Sequence, residues 1–398
     1  MSGFILAKTS KDINSGFESA KLAFSKKSYA LVKHERELGE YTLVYYEDFL
    51  KGTSNIYQNE TGDVFYYSGY LAYGGLTGVE ALKALEKSLG NGVKLENLSF
   101  HGNFVLICFY RGSLQITRDL FGGYGCYTDN EKSWFTSNFV SATSLNKENN
   151  LRQFGLFESI LFNMEFGLET LVEGIYLLDP SQIHQPGTSK TLQREIKIPK
   201  LENNYKKCLE LNAEILLEEF RLYHQFFGNK ITSALTGGFD SRLMLAAQLH
   251  EAIEPNLYTN GADEDVDVKV AKNICSHQNL KLFHAKKNDE KELSPAAAGN
   301  VILQNFWDLD GINQIFTSKF EVDSRMVRAK DHLLVLNGAG GEIYRDVWKW
   351  DFKRKTLYQL IKNSYDTGEL KLFGIDEKLF FEDIERRVSN QLEHFGDY

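Results

Sequence analysis

The stretch Ile231-Thr-Ser-Ala-Leu-Thr-Gly-Gly-Phe-Asp-Ser-Arg-Leu-Met-Leu-Ala-Ala246 joins an apolar, strand-like run to an amphipathic, helix-like run. Between them lies the turn Thr236-Gly237-Gly238-Phe239-Asp240-Ser241. A glycine- and hydroxyl-bearing turn at a helix N-terminus offers backbone N–H groups to an anion. Two glycines let the backbone approach that anion closely. An aspartate in the same turn suits a magnesium ion held against phosphate oxygens. No lysine follows the glycines, so the common G-x-x-x-x-G-K-[ST] phosphate loop is excluded. The plainer alternative is an ordinary strand-to-helix turn, with glycine for shape and Asp240-Ser241 for capping.

Other residues able to do chemistry lie further along. Leu336-Asn-Gly-Ala-Gly-Gly-Glu-Ile343 is a second glycine-rich turn carrying Glu342, and Arg345, Asp346 and Lys349 follow it. A charged helix surface accounts equally well for the last three. Asp267 opens the segment Asp267-Val-Lys-Val-Ala-Lys-Asn-Ile-Cys-Ser-His277, beside a nucleotide or as a cap of its own helix. Arg242 could reach a phosphate or a carboxylate with both nitrogens, or stay on a helix surface. In the polar run from Gln304 to Gln314, Asp308 and Asp310 beside Trp307 are candidates for a substrate pocket, with a plain loop as the alternative.

These residues need a frame. Residues 1 to about 190 read as strand-rich, with Tyr41–Tyr46, Val64–Gly69, Phe104–Tyr110 and Leu114–Thr117 as strands. Helical spacing at 79–89 and 153–162 makes this half α+β with packed sheets. Residues 186–204 are polar and turn-rich and form a credible linker. A long helix is expected over 205–227. Strand Ile231–Leu235, helix 240–250, strand Asn256–Thr259, helix 265–278, strand Leu280–His284 and strand Leu333–Leu336 then alternate, which implies a parallel sheet. Ligands on such sheets sit at the carboxyl ends of the strands, where Thr236, Asn260-Gly261 and Asn337-Gly338 fall.

Composition narrows the function classes. A net charge of −9 without a long basic run argues against nucleic acid as the main partner. No apolar window approaches the roughly 18 residues of a membrane span. The N-terminus has a very short apolar stretch and no cleavage pattern, so a cytoplasmic protein is expected. Cys108, Cys126, Cys208 and Cys275 are dispersed and lack metal-ligand spacing, which reads as thiols in a reducing compartment.

The turn Thr236–Ser241 resembles the S-G-G-x-D-S pyrophosphate loop of ATP pyrophosphatases, with Thr236 in place of Ser. With the Asp267 helix and the Leu336–Ile343 turn, similar to L-S-G-x-G-x-D-E/I, the chain resembles the asparagine synthetase and β-lactam synthetase group, which includes lasso-peptide cyclases. Gly102-Asn-Phe-Val-Leu, Thr117-Arg-Asp-Leu-Phe-Gly122, Phe135-Thr-Ser137 and Leu171-Val-Glu-Gly-Ile-Tyr-Leu-Leu-Asp-Pro180 resemble motifs of class II glutamine amidotransferase domains. The resemblance implies two domains. Residues 1–190 would form an Ntn-hydrolase-like domain of packed β-sheets with helices, and 205–398 an α/β ATP-pyrophosphatase domain of the adenine nucleotide α-hydrolase type, truncated if the sequence is a fragment. It implies ATP and Mg2+ as cofactors. Leu235, Thr236, Gly237, Gly238, Asp240, Ser241, Asp267 and Gly338 would contact the nucleotide, and Asp240 and Glu342 would bind the metal. Asp240, Glu342 and Arg345 would serve catalysis.

The implied activity is an ATP-dependent carbon–nitrogen ligase acting on a small-molecule or peptide carboxylate and an amine donor. A homodimer is compatible with it. Three departures shape the expectation. Ser2 stands where the glutaminase nucleophile is a cysteine, so glutamine is not the expected nitrogen source. Ala339 stands where the family has Glu or Tyr to deprotonate the attacking nitrogen. The family's later helical segment with a catalytic lysine has no match before Tyr398, which suggests a short lobe, a fragment or another source of the lysine. Two alternatives remain: a thiolation or ammonia-dependent ligase on the same loop, and a catalytically impaired nucleotide-binding homologue.

Overall fold

The computed structural model describes residues 3–8, 14–28, 31–48, 54–162, 164–186, 188, 190–195, 204–286, 294–311, 332–338, 359 and 368–392. Its contacts divide the chain into two compact units. The first gathers Met1–Ile196, Trp307–Asn313 and Trp348–Tyr398, the second Lys197–Phe306 and Gln314–Val347.

The first unit begins with β1 (Gly3–Lys8), α1 (Asn14–Ser25), β2 (Leu31–Leu38), β3 (Tyr41–Asp48), β4 (Ile56–Gln58), β5 (Val64–Tyr73) and β6 (Leu76–Thr77). It continues through α2 (Gly78–Gly90), β7 (His101–Tyr110), β8 (Ser113–Arg118), β9 (Tyr127–Thr128), β10 (Trp134–Thr136), α3 (Phe139–Leu145) and α4 (Gln153–Phe162). Strands β11 (Tyr176–Leu177), β12 (Gln182–Gln185) and β13 (Lys190–Gln193) close the run. Two antiparallel sheets result, in the orders β11-β9-β10-β1-β3-β2 and β13-β12-β8-β7-β5-β4, with β6 paired to β5.

Alternation along the strands dictates the layering. Phe4, Leu6, Leu43 and Tyr45 of one sheet share a core with Val64, Tyr66, Val105 and Ile107 of the other. The residues between them face outward from this core. Ile5, Ala7, Val44 and Tyr46 pack on Ala20 and Phe24 of α1 and Phe139 and Ala142 of α3. Phe65, Tyr67, Leu106 and Cys108 pack on Ala81, Leu82 and Leu85 of α2. The layers therefore run helix, sheet, sheet, helix. Strands buried on both faces read as continuous apolar runs, as Phe104–Cys108 does.

The second unit carries α5 (Tyr205–Phe227), β14 (Ile231–Ala234), α6 (Phe239–His250), β15 (Asn256–Gly261), α7 (Val266–Gln278), β16 (Leu282–Lys286), most of α8 (Pro295–Asp308) and β17 (Leu334–Leu336). Its four strands form a sheet in the order β16-β15-β14-β17, with parallel pairing throughout. From β14 the chain moves outward through β15 to β16, while β17 lies on the opposite side of β14. The order thus reverses between β14 and β17, the place where such sheets open a ligand crevice.

The C-terminal helix α9 (Glu377–Leu392), placed by sequence in the 205–398 segment, groups by its contacts with the first unit. Its Phe380, Phe381 and Ile384 pack with Phe162 of α4. Glu158, fully buried in α4, pairs with Arg387 of α9 and also accepts from Arg152 at 3.1 Å and from the Phe166 N–H at 2.8 Å. A buried carboxylate without such partners is costly, so this cluster holds the two helices together. Among the described residues, no helix is long and apolar enough to cross a membrane.

Candidate functional site

The site begins at β14. Thr232 and Ser233 are buried, and Leu235 is fully buried and donates its N–H to Tyr258 O at 2.8 Å. Gln248 of α6 is buried and donates to Ser233 Oγ at 2.9 Å, which pins the helix against the strand that precedes it. A strand and a helix fixed in this way leave Thr236–Ser241 little freedom of path.

Within the turn, hydroxyls satisfy two of the leading amides. Thr236 N–H donates to Ser241 Oγ at 3.1 Å, and Gly238 N–H donates to Thr236 Oγ1 at 3.1 Å. The two hydroxyl oxygens lie 3.0 Å apart. Gly237 N–H donates to Asp267 Oδ1 at 2.9 Å. Gly238 is the residue before α6 and makes no side-chain cap, so the helix starts on an open turn. Asp240 falls in the first turn of α6. Arg242 stays at the rim: its Nε donates to Gly238 O at 3.2 Å and its guanidinium lies 4.5 Å from the ring centroid of Phe239. Phe239 itself is 70% exposed.

Both glycine positions test the need for space. A Cβ at Gly237 would meet Asp267 Oδ1 at 3.0 Å and Val270 at 3.6 Å. A Cβ at Gly338, just past β17, would meet Asp240 Cβ at 2.7 Å and Ser241 N at 3.0 Å. The segments after β14 and β17 therefore touch backbone to backbone, and only glycine permits that approach.

The structure brings Leu235, Thr236, Gly237, Gly238, Asp240, Ser241, Asp267 and Gly338 together at the carboxyl edge of the parallel sheet. Asp267 takes a third role beside the two expected ones: it is the acceptor for the turn's Gly237 N–H, while Asp265 is the residue before α7. Glu342, Arg345, Ala339, Asp346, Lys349 and Ser2 lie outside the described residues. Asp308 and Asp310, expected near a substrate, are engaged in the first unit. Asp308 Oδ1 accepts from Ser28 N–H at 2.7 Å, and the Asp310 carboxylate accepts from Lys27 Nζ and Asn138 Nδ2. Burial pushes the Asp310 carboxyl upward, and Lys27 opposes that push. Trp307 and Asp308 extend α8, so the start of the polar run is helical rather than the loop held as the alternative.

Sequence spacing did not reveal the anchor at the end of β15. Asp263 binds Lys272 of α7 at 2.6 Å and also pairs with Lys286 of β16. The hydrogen bonds from Lys272 and then Lys286 hold its carboxyl well below the ordinary range. Three residues from three segments carry no local signature, so only their shared sheet edge could have marked them.

Among the described residues, no group of three His, Cys, Asp or Glu side chains is placed to hold a metal. Magnesium takes one or two protein carboxylates and fills the rest of its shell with phosphate oxygens and water, and Asp240 at the start of α6 fits the part of such a ligand.

No protein-family model and no curated protein matches the chain. Among solved structures, glutamine phosphoribosylpyrophosphate amidotransferase from B. subtilis, complexed with ADP and GMP, is similar over 75% of this chain and 70% of that chain, with 6% identity and a TM-score of 0.29. A structure described as the allosteric regulatory enzyme of purine biosynthesis is similar over 75% of this chain and 70% of that chain, with 7% identity and a TM-score of 0.29.

Proposed function

We propose that the chain is an ATP-dependent ligase that adenylates a carboxylate, releases pyrophosphate and joins the acyl group to an amine or to ammonia. The observation that carries this reading is the position of the Gly237-Gly238 turn at the strand-order reversal, with Gly338 packed against Asp240. Helix N-termini at such crevices favour phosphate groups.

In this reading, a carboxylate oxygen forms a bond to the α-phosphorus of ATP as the bond to the bridging oxygen breaks. The leaving pyrophosphate is received by the turn amides and the hydroxyls of Thr236 and Ser241. Nitrogen then bonds to the acyl carbon as the carbon–oxygen bond to AMP breaks, and the proton lost by nitrogen passes to solvent. Asp240 and Glu342 would hold magnesium, which when bound offsets charge on the phosphate oxygens. Oriented donors at the leaving group need no reorganisation during reaction, which is where such a turn gains its effect. The layered sheets of the first unit support the amidotransferase-like, Ntn-hydrolase-like reading of that half. Ser2 in place of cysteine favours nitrogen from a substrate amine over nitrogen from glutamine.

Ala339 favours a second reading, a nucleotide-binding homologue without catalysis, because an alanine cannot act as a base. Exchange of labelled pyrophosphate into ATP, run with a panel of carboxylates, separates the two. Exchange that is lost in Asp240→Ala supports the ligase. Saturable magnesium–ATP binding without exchange on any carboxylate supports the second reading. Absence of magnesium–ATP binding contradicts both.

A further inference from the structure

The turn after β14 presents three leading amides, and their acceptors differ in kind. Thr236 and Gly238 N–H donate to neutral hydroxyls of the turn itself. Gly237 N–H donates to a carboxylate from a different element, Asp267 in the first turn of α7. The contact is close enough that a Cβ at Gly237 would stand 3.0 Å from the same oxygen. Gly237 thus makes room for an anion, and the anion in place belongs to the protein. Asp267 is exposed, so its side chain can rotate into water without a burial cost.

We infer that Asp267 is an internal stand-in for phosphate that screens ligands by their charge state, an inference that rests on the reading of the turn as a pyrophosphate loop. An incoming polyanion needs the Gly237 amide and meets a like charge already on it. A free anion must displace the carboxylate and then remain beside it. A magnesium-complexed anion brings a cation to which the displaced carboxylate can turn. Asp267 therefore disfavours metal-free phosphates and admits metal-complexed ones. The hydroxyl acceptors at Thr236 and Ser241 impose no such selection, because a hydroxyl can also donate to phosphate.

Calorimetric titration of the full chain with pyrophosphate tests this, once in chelator and once in magnesium. Asp267→Asn keeps an acceptor for Gly237 N–H and removes the charge; Asp267→Ala removes both. The inference predicts that both variants bind metal-free pyrophosphate about five- to tenfold tighter than wild type, the scale of removing one partly screened like charge. It also predicts that the gain disappears in magnesium. Metal-free affinity that is unchanged or weaker in Asp267→Asn overturns the inference while leaving the loop reading intact, provided wild type binds magnesium–pyrophosphate. Wild type that binds neither form overturns both.

Discussion

The turn after β8 and the turn after β14 each carry an aspartate that a sequence motif singles out, yet they are built in opposite ways. At the first, Asp119 is 5% exposed and accepts from the N–H groups of Phe104 at 3.2 Å, Gly123 at 3.0 Å and Tyr124 at 3.4 Å. Its neighbour Arg118 is buried and donates to Leu178 O at 3.2 Å and to Gly122 O. Arg194 in turn donates to Arg118 O at 2.7 Å. These charges are consumed inside the layered sheets. At the second turn, Asp240 is only partly buried, and the Gly237 amide is bound to an exposed carboxylate. A turn whose carboxylate is buried and held by three amides is a structural part; a turn whose acceptors can leave is a place for a ligand.

If that contrast is correct, removing Asp119 damages the fold and removing Asp240 damages binding. The largest effect is expected for Asp119→Ala. The buried Phe104 amide and the part-buried amides of Gly123 and Tyr124 lose their acceptor, buried Arg194 loses a neighbouring carboxylate, and urea denaturation at neutral pH should show a loss of about 4 kcal/mol. Magnesium–ATP affinity of the folded fraction should stay unchanged.

Next comes an acid effect confined to the first unit. Burial, with a smaller contribution from Lys132, lowers the pKa of His184 from 6.5 to about 4. Unfolded chains take up the proton first as pH falls. The stability from neutral His184 is therefore complete above about pH 6.5 and is lost toward pH 4. That change amounts to about 3 kcal/mol, and it should vanish from the pH dependence of unfolding in His184→Phe.

Asp240→Ala should cost less than about 1 kcal/mol in the same denaturation, yet weaken magnesium–ATP at least about tenfold by calorimetry. The smallest effect concerns thiols. Burial pushes the Cys126 thiol up to about 12 and Cys108 higher still, so neither should react with a thiol reagent in the native state. Cys208, which is partly exposed, should react first.

Much of this contrast was legible in the sequence. The helices over 205–227 and 265–278, and the strands starting at 231 and 256, emerge at nearly their expected places because helix and strand periods differ and because Gly228 and the Gly-Gly turn punctuate them. The packed sheets of the first half were legible for the same reason. What stayed hidden depends on contacts distant in sequence. Asp267 and Gly237 are thirty residues apart and meet only through pairing of β14 with β15. The engagement of Asp310 with Lys27 spans most of the chain, and a local reading of polar residues beside Trp307 suggested a substrate pocket instead. The grouping of α9 with α4 was invisible because Glu158 and Arg387 carry no pattern until the helices pack.

Calorimetric titration of magnesium–ATP into wild type and Gly338→Val tests the central claim most directly, because Gly338 closes the crevice without contributing a charge. The account predicts saturable binding by wild type with a dissociation constant below about 1 mM, and loss of that binding when a side chain is forced between β17 and Asp240. No saturable binding by wild type, or equal binding by the two proteins, would contradict it.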